Sequence, residues 1–502
     1  MTGTAGSRVP GAQDAPEVRR TVMSAADERG QAGGPEPEAG NPWEPRRLRL
    51  FLLLLLFVSL AKTAVYWHSA VLPSATFLHA DSSGYYEPAK ALARLGLFSI
   101  SPARPDIPET VRTPGYPGFI ALAFLVCGEN LRAVIFVQVL MSLGSLSLIY
   151  YLAARLWDSR AGLAAACLFA IDVLSAGYTF LVMSETLFTF LLICMLVAVY
   201  AFFRRRHQLG AALALGCLLG LATLTKPITS YFIAPLAAGL LIWLILRQVH
   251  WTRIALVLGI VAVPYIVLVG SWRAWNYHLT GHAYMSQIEG FNLLFYNAAG
   301  VIAQRNDISH RLAREQLLDG RQDAYELLDH SHLRPADGMP DMWREKAIRV
   351  IRGDPMAFVL SQARGTLNVF WSAGDSELNT VLGRRETQGP LDDLRRRISP
   401  MEFARKWMMQ RPAYFLVFAV GTLALYAVYL GIAVYLACVR REDTRNYAAL
   451  GCFAGLILYL AVLSGGPVGQ YRLRVPLMPV LALFAARGWS LLVERAAARK
   501  RR

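Results

Sequence analysis

Two carboxylates and a set of cations stand where this sequence passes from long apolar runs into polar chain. Asp81 lies about ten residues beyond the first apolar run, in His79-Ala80-Asp81-Ser82-Ser83-Gly84-Tyr85-Tyr86-Glu87. A carboxylate there could take a proton from an attacking hydroxyl. The same residue would also suit the N-cap of a helix over Tyr85–Leu97, and residue chemistry alone leaves both readings open. Glu185 follows Met183-Ser184 at the start of a further apolar run. It reads either as a second acid or metal ligand, or as a first-turn glutamate facing the helix dipole. Lys226-Pro227 sits in a turn between two apolar runs, where a lysine can hold a phosphate or snorkel to water. Trp272-Arg273-x-x-Asn276 ends one run, and Tyr471-Arg472-x-Arg474 begins the last. Arginines at such places fit a phosphate through charge-assisted hydrogen bonds. Interfacial anchoring by Trp, Tyr and Arg is the ordinary alternative.

The elements that must position these residues are apolar helices. Of 502 residues, 55% are hydrophobic and 17% are charged. Soluble domains average about 25% charged, and the mean hydropathy here is positive. That composition excludes a disordered chain, a disulfide scaffold and an ordinary soluble globule, and points to a polytopic membrane protein. Runs of spanning length fall at about 50–71, 131–154, 161–177, 185–203, 209–224, 229–246, 253–271, 412–438, 447–463 and 474–493. The stretch from Pro114 to Cys127 is too short to cross and reads as a juxtamembrane helix, introduced by Arg112-Thr113-Pro114-Gly115-Tyr116-Pro117. With that stretch kept outside the count, the arginine clusters at 155–160, 204–206, 247–253, 440–445 and 499–502 share one side. The positive-inside rule then predicts ten spans with both termini cytoplasmic.

This topology divides the chain. Residues 1–45 are rich in Gly, Pro, Ala and Glu and read as a disordered cytoplasmic tail. A membrane domain over 46–271 carries the first outer loop, 72–130. A large outer loop follows at 272–411, with helices expected over Met342–Ile351 and Met356–Trp371, split by Asp354-Pro355. Membrane helices over 412–494 and a basic cytoplasmic tail, 495–502, complete the chain. All the candidate residues above fall on the outer side.

The charge balance is 51 − 35 = +16. In a membrane protein, cytoplasmic arginines or a site for anionic lipid account for it, and no nucleic-acid partner is expected. The six cysteines lie in or beside apolar runs with no C-x-x-C pair and read as small buried hydrophobes. The sequence holds no phosphate loop of the G-x-x-x-x-G-K-[ST] type, no H-E-x-x-H helix and no obvious nucleophile elbow. The spans carry few charges in their middles, against a proton relay or voltage sensor. There is no internal repeat.

Taken together, these segments resemble the multi-span glycosyltransferases of the C-type fold (GT-C). That group includes the protein O-mannosyltransferases, the aminoarabinose transferase that modifies lipid A, and bacterial family-39 and RgtA/B/C/D-like proteins. The resemblance runs over roughly residues 50–490. It rests on Asp81-Ser82-Ser83-Gly84-Tyr85-Tyr86, Arg112-Thr113-Pro114-Gly115-Tyr116-Pro117, Ser184-Glu185-Thr186-Leu187-Phe188, Leu224-Thr225-Lys226-Pro227, Trp272-Arg273-x-x-Asn276 and Tyr471-Arg472-Leu473-Arg474-x-Pro476, in that order.

The resemblance implies an all-α bundle of about ten spans. It implies inverting transfer of a sugar from a polyprenyl-phosphate donor to a glycan, lipid or protein acceptor at the outer face of a membrane; the Ala-, Arg- and Leu-rich composition points to the inner membrane of a bacterium. Asp81 would be the base and Glu185 a second acid or a substrate-orienting group. Arg112, Lys226, Arg273, Tyr471 and Arg472 would bind substrate or lipid phosphate. No nucleotide cofactor is implied, no metal ligand set is assigned, and a divalent metal is left open. Three departures stand out. Asp81 is followed by Ser82 where some relatives have an Asp-Glu pair. Arg112-Thr113 replaces an acid found beside Pro-Gly-Tyr in others. Lys226 stands where many bacterial relatives have arginine, which keeps the charge and loses the bidentate fork. A lipid-sugar transporter or flippase, or an inactive glycan-assembly subunit, is the alternative.

Overall fold

A computed structural model describes residues 3, 43–70, 77–79, 81–204, 208–318, 338–371, 374–383, 408–409, 412–440, 446–466 and 471–500. The expected tail over 1–45 therefore lies outside the described residues except at its edge, as do most of the arginines expected at 204–206 and 440–445. Every candidate membrane helix among the described residues belongs to one compact unit, Asn41–Arg502.

The protein is an all-α polytopic membrane protein. Among the described residues, nine helices are long and apolar enough to cross a membrane, or ten if one bent pair is a single span. The first, α1 (Pro45–Ala70), leads to an amphipathic helix, α2 (Ser83–Leu95). A short antiparallel hairpin follows, β1 (Ser99–Ser101) and β2 (Arg104–Pro108). The stretch after Pro114 forms the non-spanning α3 (Gly115–Cys127). Then come α4 (Leu131–Leu156), the bent pair α5 (Ser159–Ala170) and α6 (Val173–Thr179), α7 (Glu185–Phe203), α8 (Gln208–Thr225), α9 (Ile233–Leu246) and the long α10 (Trp251–Thr280).

The run expected as one span over 161–177 is broken by 64°. Asp172 is the reason: its carboxylate accepts from the Ser175 amide at 2.9 Å and starts a new helix inside an apolar run. Beyond α10, the large loop holds α11 (Ile288–Asn292), a π-helical turn over Leu293–Ala298, α12 (Ala299–Asn306) and α13 (His310–Leu317). It continues with α14 (Met339–Gly353), α15 (Pro355–Trp371) and α16 (Asp375–Val381). The break between α14 and α15 falls at Asp354-Pro355, because proline cannot continue the preceding helix. The last helices are α17 (Pro412–Cys438), α18 (Tyr447–Ser464) and, after a 3-10 turn over Tyr471–Leu477, α19 (Met478–Lys500).

The main core is built chiefly by side chains of α4, α5, α7, α8, α9, α10, α18 and α19. Helix α7 is buried on most of its surface, whereas α1 lies at the margin with much of its leucine-rich face uncovered. A second core, of α2, α3, the N-terminal half of α4 and the turn 180–183, supports the candidate residues. The cysteines are free, but only Cys438 is buried; Cys127 and Cys167 are exposed. The expectation of six buried cysteines fails there because α3 and α5 each present an apolar face outward.

Candidate functional site

The loop that carries Asp81 is sewn to the turn before α7. The Phe77 carbonyl accepts from the Val182 amide at 2.9 Å. The Ser82 hydroxyl donates to the Val182 carbonyl at 2.9 Å and accepts from the His79 amide at 2.8 Å. Ser82 precedes α2 without capping it by its side chain. Asp81 does not cap the helix either. Its carboxylate turns the other way, between two guanidiniums. Arg112 Nη2 donates to Oδ1 at 3.0 Å, and Arg472 Nη1 donates to Oδ2 at 2.7 Å. Burial alone would raise the Asp81 pKa, but Arg112 and Arg472 outweigh it and bring the carboxyl down to about 2.

Arg112 is fixed from several sides. Its guanidinium lies over the Tyr85 ring at 4.7 Å and donates to the Tyr85 hydroxyl at 3.3 Å. Gly84 makes room for it, since a Cβ there would lie 3.0 Å from Arg112 Nε. The Arg112 backbone is held by Glu109, a buried carboxyl that accepts from the Val111 amide at 2.8 Å and the Arg112 amide at 2.7 Å. Burial pushes the Glu109 pKa up to about 7, against the pull of those amides and of the guanidinium. The start of the large loop braces the same turn: the Gln287 amide donates to the Thr110 carbonyl at 3.1 Å, and the Ser286 hydroxyl donates to the Val111 carbonyl.

Below Tyr85 lies a buried polar chain. The Tyr85 ring meets Tyr116 edge-on, with centroids 5.1 Å apart. Tyr116 donates to Gln138 Oε1 at 2.6 Å, and Gln138 Nε2 donates to the carbonyls of Thr179 and Leu181 at 3.0 and 2.8 Å. One amide thus ties α3, α4 and the turn after α6. Helix α3 packs tightly at its start, because a Cβ on Gly115 would fall 2.6 Å from the Leu224 carbonyl at the end of α8.

That contact brings in the second carboxylate. Glu185 opens α7, where the helix dipole favours an anion. Its Oε1 accepts from Lys226 Nζ at 2.8 Å, and both side chains are largely buried. Glu185 Oε2 is buried with no hydrogen-bond partner. Arg472 interacts electrostatically with Glu185 as well as with Asp81. The structure thus gathers Asp81, Arg112, Glu185, Lys226 and Arg472 at one end of the bundle, three cations against two carboxylates.

Two predicted residues stand apart. Tyr471, next to Arg472, donates to Glu377 Oε1 at 2.9 Å and pairs with the Ser376 hydroxyl at 3.0 Å, so its phenol faces α16. Arg273 makes no hydrogen bond or ion pair with the cluster and acts on Glu289 in the large loop instead. Its motif neighbours fold that loop back: Trp272 donates to the Met285 carbonyl at 2.8 Å and Asn276 to the Tyr284 carbonyl at 3.0 Å. Sequence reasoning missed Glu109, Gln138 and Glu377. Gln138 did carry a signal, as a lone amide in an apolar span. Among the described residues, no group of three or more His, Cys, Asp or Glu side chains could hold a metal ion.

Residues 111–272 match the family model described as dolichyl-phosphate-mannose-protein mannosyltransferase. No curated protein matches the sequence. Among solved structures, the chain is similar to the archaeal oligosaccharyltransferase AglB from Archaeoglobus fulgidus in complex with an inhibitory peptide and a dolichol-phosphate. The identity is 14% and the TM-score 0.49, covering 90% of this chain and 51% of that one. The same archaeal enzyme in complex with Zn and sulfate is 15% identical at a TM-score of 0.49, covering 89% and 50%. ArnT from Cupriavidus metallidurans bound to undecaprenyl phosphate is 14% identical at a TM-score of 0.33, covering 88% and 77%. The chain spans about half the length of the oligosaccharyltransferases. The stretch matched by that family model, residues 111–272, contains Arg112, Glu185 and Lys226.

Proposed function

We propose that the protein transfers a sugar from a polyprenyl-phosphate donor to an acceptor hydroxyl, with inversion, at the outer face of the membrane that holds it. The observation that carries this reading is the Asp81 carboxylate held between Arg112 and Arg472. A carboxyl with a pKa of about 2 is a feeble base. A phosphate entering beside it competes for both guanidiniums. As they turn to the phosphate, Asp81 loses the charges that depress its pKa, and its burial then raises its basicity.

The acceptor hydroxyl gives its proton to Asp81 as its oxygen bonds the anomeric carbon. The bond from that carbon to the phosphate oxygen breaks, and the electron pair leaves with the lipid phosphate. Arg112, Arg472 and Lys226 stabilise the charge that grows there, as positioned cations do in a water-poor site. Glu185 Oε2, buried and lacking a donor, suits a hydroxyl of the acceptor or the sugar. In this reading the protein's own cations, which already face both carboxylates, carry the charge stabilisation. Glycans, lipids and proteins are the acceptor classes, with envelope lipopolysaccharide among them and a bacterial inner membrane as the setting.

The test compares membranes from cells with the wild-type protein, Asp81→Asn, or no protein. Polyprenyl-phosphate sugars and surface glycans are extracted and weighed by mass spectrometry. A donor that accumulates in both defective strains, with one sugar missing from a glycan, is the expected result. Normal glycans in the Asp81→Asn strain with a defect only in the null would refute transfer through Asp81 and favour a transporter or an assembly role.

A further inference from the structure

We propose that the end of the bundle opposite Asp81 binds one anionic phospholipid, in a cavity between α1 and α5. The cavity holds about 500 Å3. Its polar wall is Glu44, Arg46, Arg47 and Arg160. Arg47 and Glu44 are already committed to each other at 2.8 Å, with Ser159 between them: Arg47 donates to the Ser159 hydroxyl at 2.9 Å, and that hydroxyl donates to Glu44 at 2.8 Å. This closed group contributes no net charge. Arg46 and Arg160 are exposed, and their guanidiniums make no hydrogen bond or ion pair among the described residues. Two guanidiniums on two helices therefore face one cavity with no anion paired to them among the described residues. The N-terminus of α5 is not the attraction, because Asp158 already accepts from the Arg160 and Ala161 amides at 2.6 and 2.9 Å.

The rest of the lining is apolar and includes Leu50, Leu163 and Cys167, one or two turns along the same helices. Farther along α1, Leu53, Leu56 and Leu60 are each more than half exposed. A phosphodiester headgroup would meet Arg46 and Arg160 through charge-assisted hydrogen bonds, with its acyl chains lying along that track. A free phosphate would use the cations and leave the track bare. A second copy of the chain would cover the track and leave the cations unneutralised. The combination selects an anionic phospholipid.

The test is native mass spectrometry of the delipidated full chain in detergent, titrated with phosphatidylglycerol or phosphatidylcholine. It reads binding and is independent of the transferase reading. The wild type retains one phosphatidylglycerol at concentrations where phosphatidylcholine is not retained. Arg46→Gln with Arg160→Gln weakens that retention about tenfold, equivalent to about 1.4 kcal/mol. Leu163→Trp fills the cavity without changing charge and weakens it as well. Arg46→Lys with Arg160→Lys keeps the charge and retains most of the binding, so a folding defect in the glutamine variant does not decide the outcome. Arg49→Gln, an exposed arginine of the same helix outside the cavity, leaves retention unchanged. The proposal is overturned if Arg49→Gln costs as much as the double change, if Leu163→Trp has no effect, or if millimolar inorganic phosphate displaces the lipid.

Discussion

Replacing Asp81 by asparagine should move catalysis and donor binding in opposite directions. The change keeps the shape of the side chain and removes the charge shared by Arg112 and Arg472. The two guanidiniums bring the Asp81 pKa from 3.8 to about 2 although burial works against them. At 1.36 kcal/mol for each unit, that is about 2 kcal/mol of net attraction. The Asp81 side chain is 31% exposed, so solvent screening trims this to about 1–2 kcal/mol. The variant should therefore fold, with a melting temperature lower by a few degrees.

In the proposed mechanism, by contrast, polyprenyl phosphate would no longer compete with an Asp81 charge for the two guanidiniums. Its dissociation constant should fall about threefold to tenfold, the range that 1–2 kcal/mol allows once the cost of exposing the cations is set against it. Loss of the base should lower kcat by about 100-fold to 10,000-fold. Equilibrium binding of labelled polyprenyl phosphate to purified protein, beside single-turnover transfer, measures both. Weaker phosphate binding in Asp81→Asn would refute the competition argument. A kcat within tenfold of wild type would remove Asp81 as the base.

Glu185→Gln or Lys226→Met leaves a buried charge alone and should cost about 3–5 kcal/mol, whereas the double change should cost less than either single one, as read by thermal melting. Glu109 has its folded pKa raised from 4.5 to about 7, so its contribution to stability is complete below pH 4.5 and is lost as the pH climbs through 7. Melts from pH 4.5 to 8 should show a decline worth about 3 kcal/mol that Glu109→Gln flattens. Gln138→Leu strips partners from two buried carbonyls and one tyrosine hydroxyl, and should destabilise the fold by about 3 kcal/mol or more in the same assay. Arg273→Gln, away from the cluster, should change transfer by less than about threefold if the cluster holds the phosphate; a hundredfold loss, of the size seen when a charge-stabilising donor is removed, would bring Arg273 into the site.

The helices were legible because their signals are local. Apolar length marked the spans, Pro114 and the short run after it marked α3, and Asp354-Pro355 marked the break between α14 and α15. The break inside α5–α6 had a local signal too, since Asp172 is a cap-forming residue in an apolar run, but span length overrode it. What the sequence withheld is pairing. Arg472 meets a carboxylate 391 positions earlier, and Lys226 one 41 positions earlier. No periodicity encodes such partnerships. The same limit hid Glu109, whose role depends on burial against its own turn, and Glu377, which reaches Tyr471 only after the large loop has folded back. It also misplaced two cysteines, because apolar neighbours in sequence say nothing about which face of a helix meets lipid.

The 391-residue separation between Asp81 and Arg472 also has a meaning in time. At roughly 5–20 residues per second, a ribosome needs about 20–80 s to pass from one to the other. Throughout that interval Asp81 has at most one of its two guanidiniums, and Arg112 faces the carboxylate alone. The cluster closes only when the turn before the final helix reaches the membrane. A nascent chain that stalls in its large loop would thus display Asp81 without Arg472 and an incomplete cation pair. Ion-pair closure would then be a late step of biogenesis, and the last helix would switch the protein on.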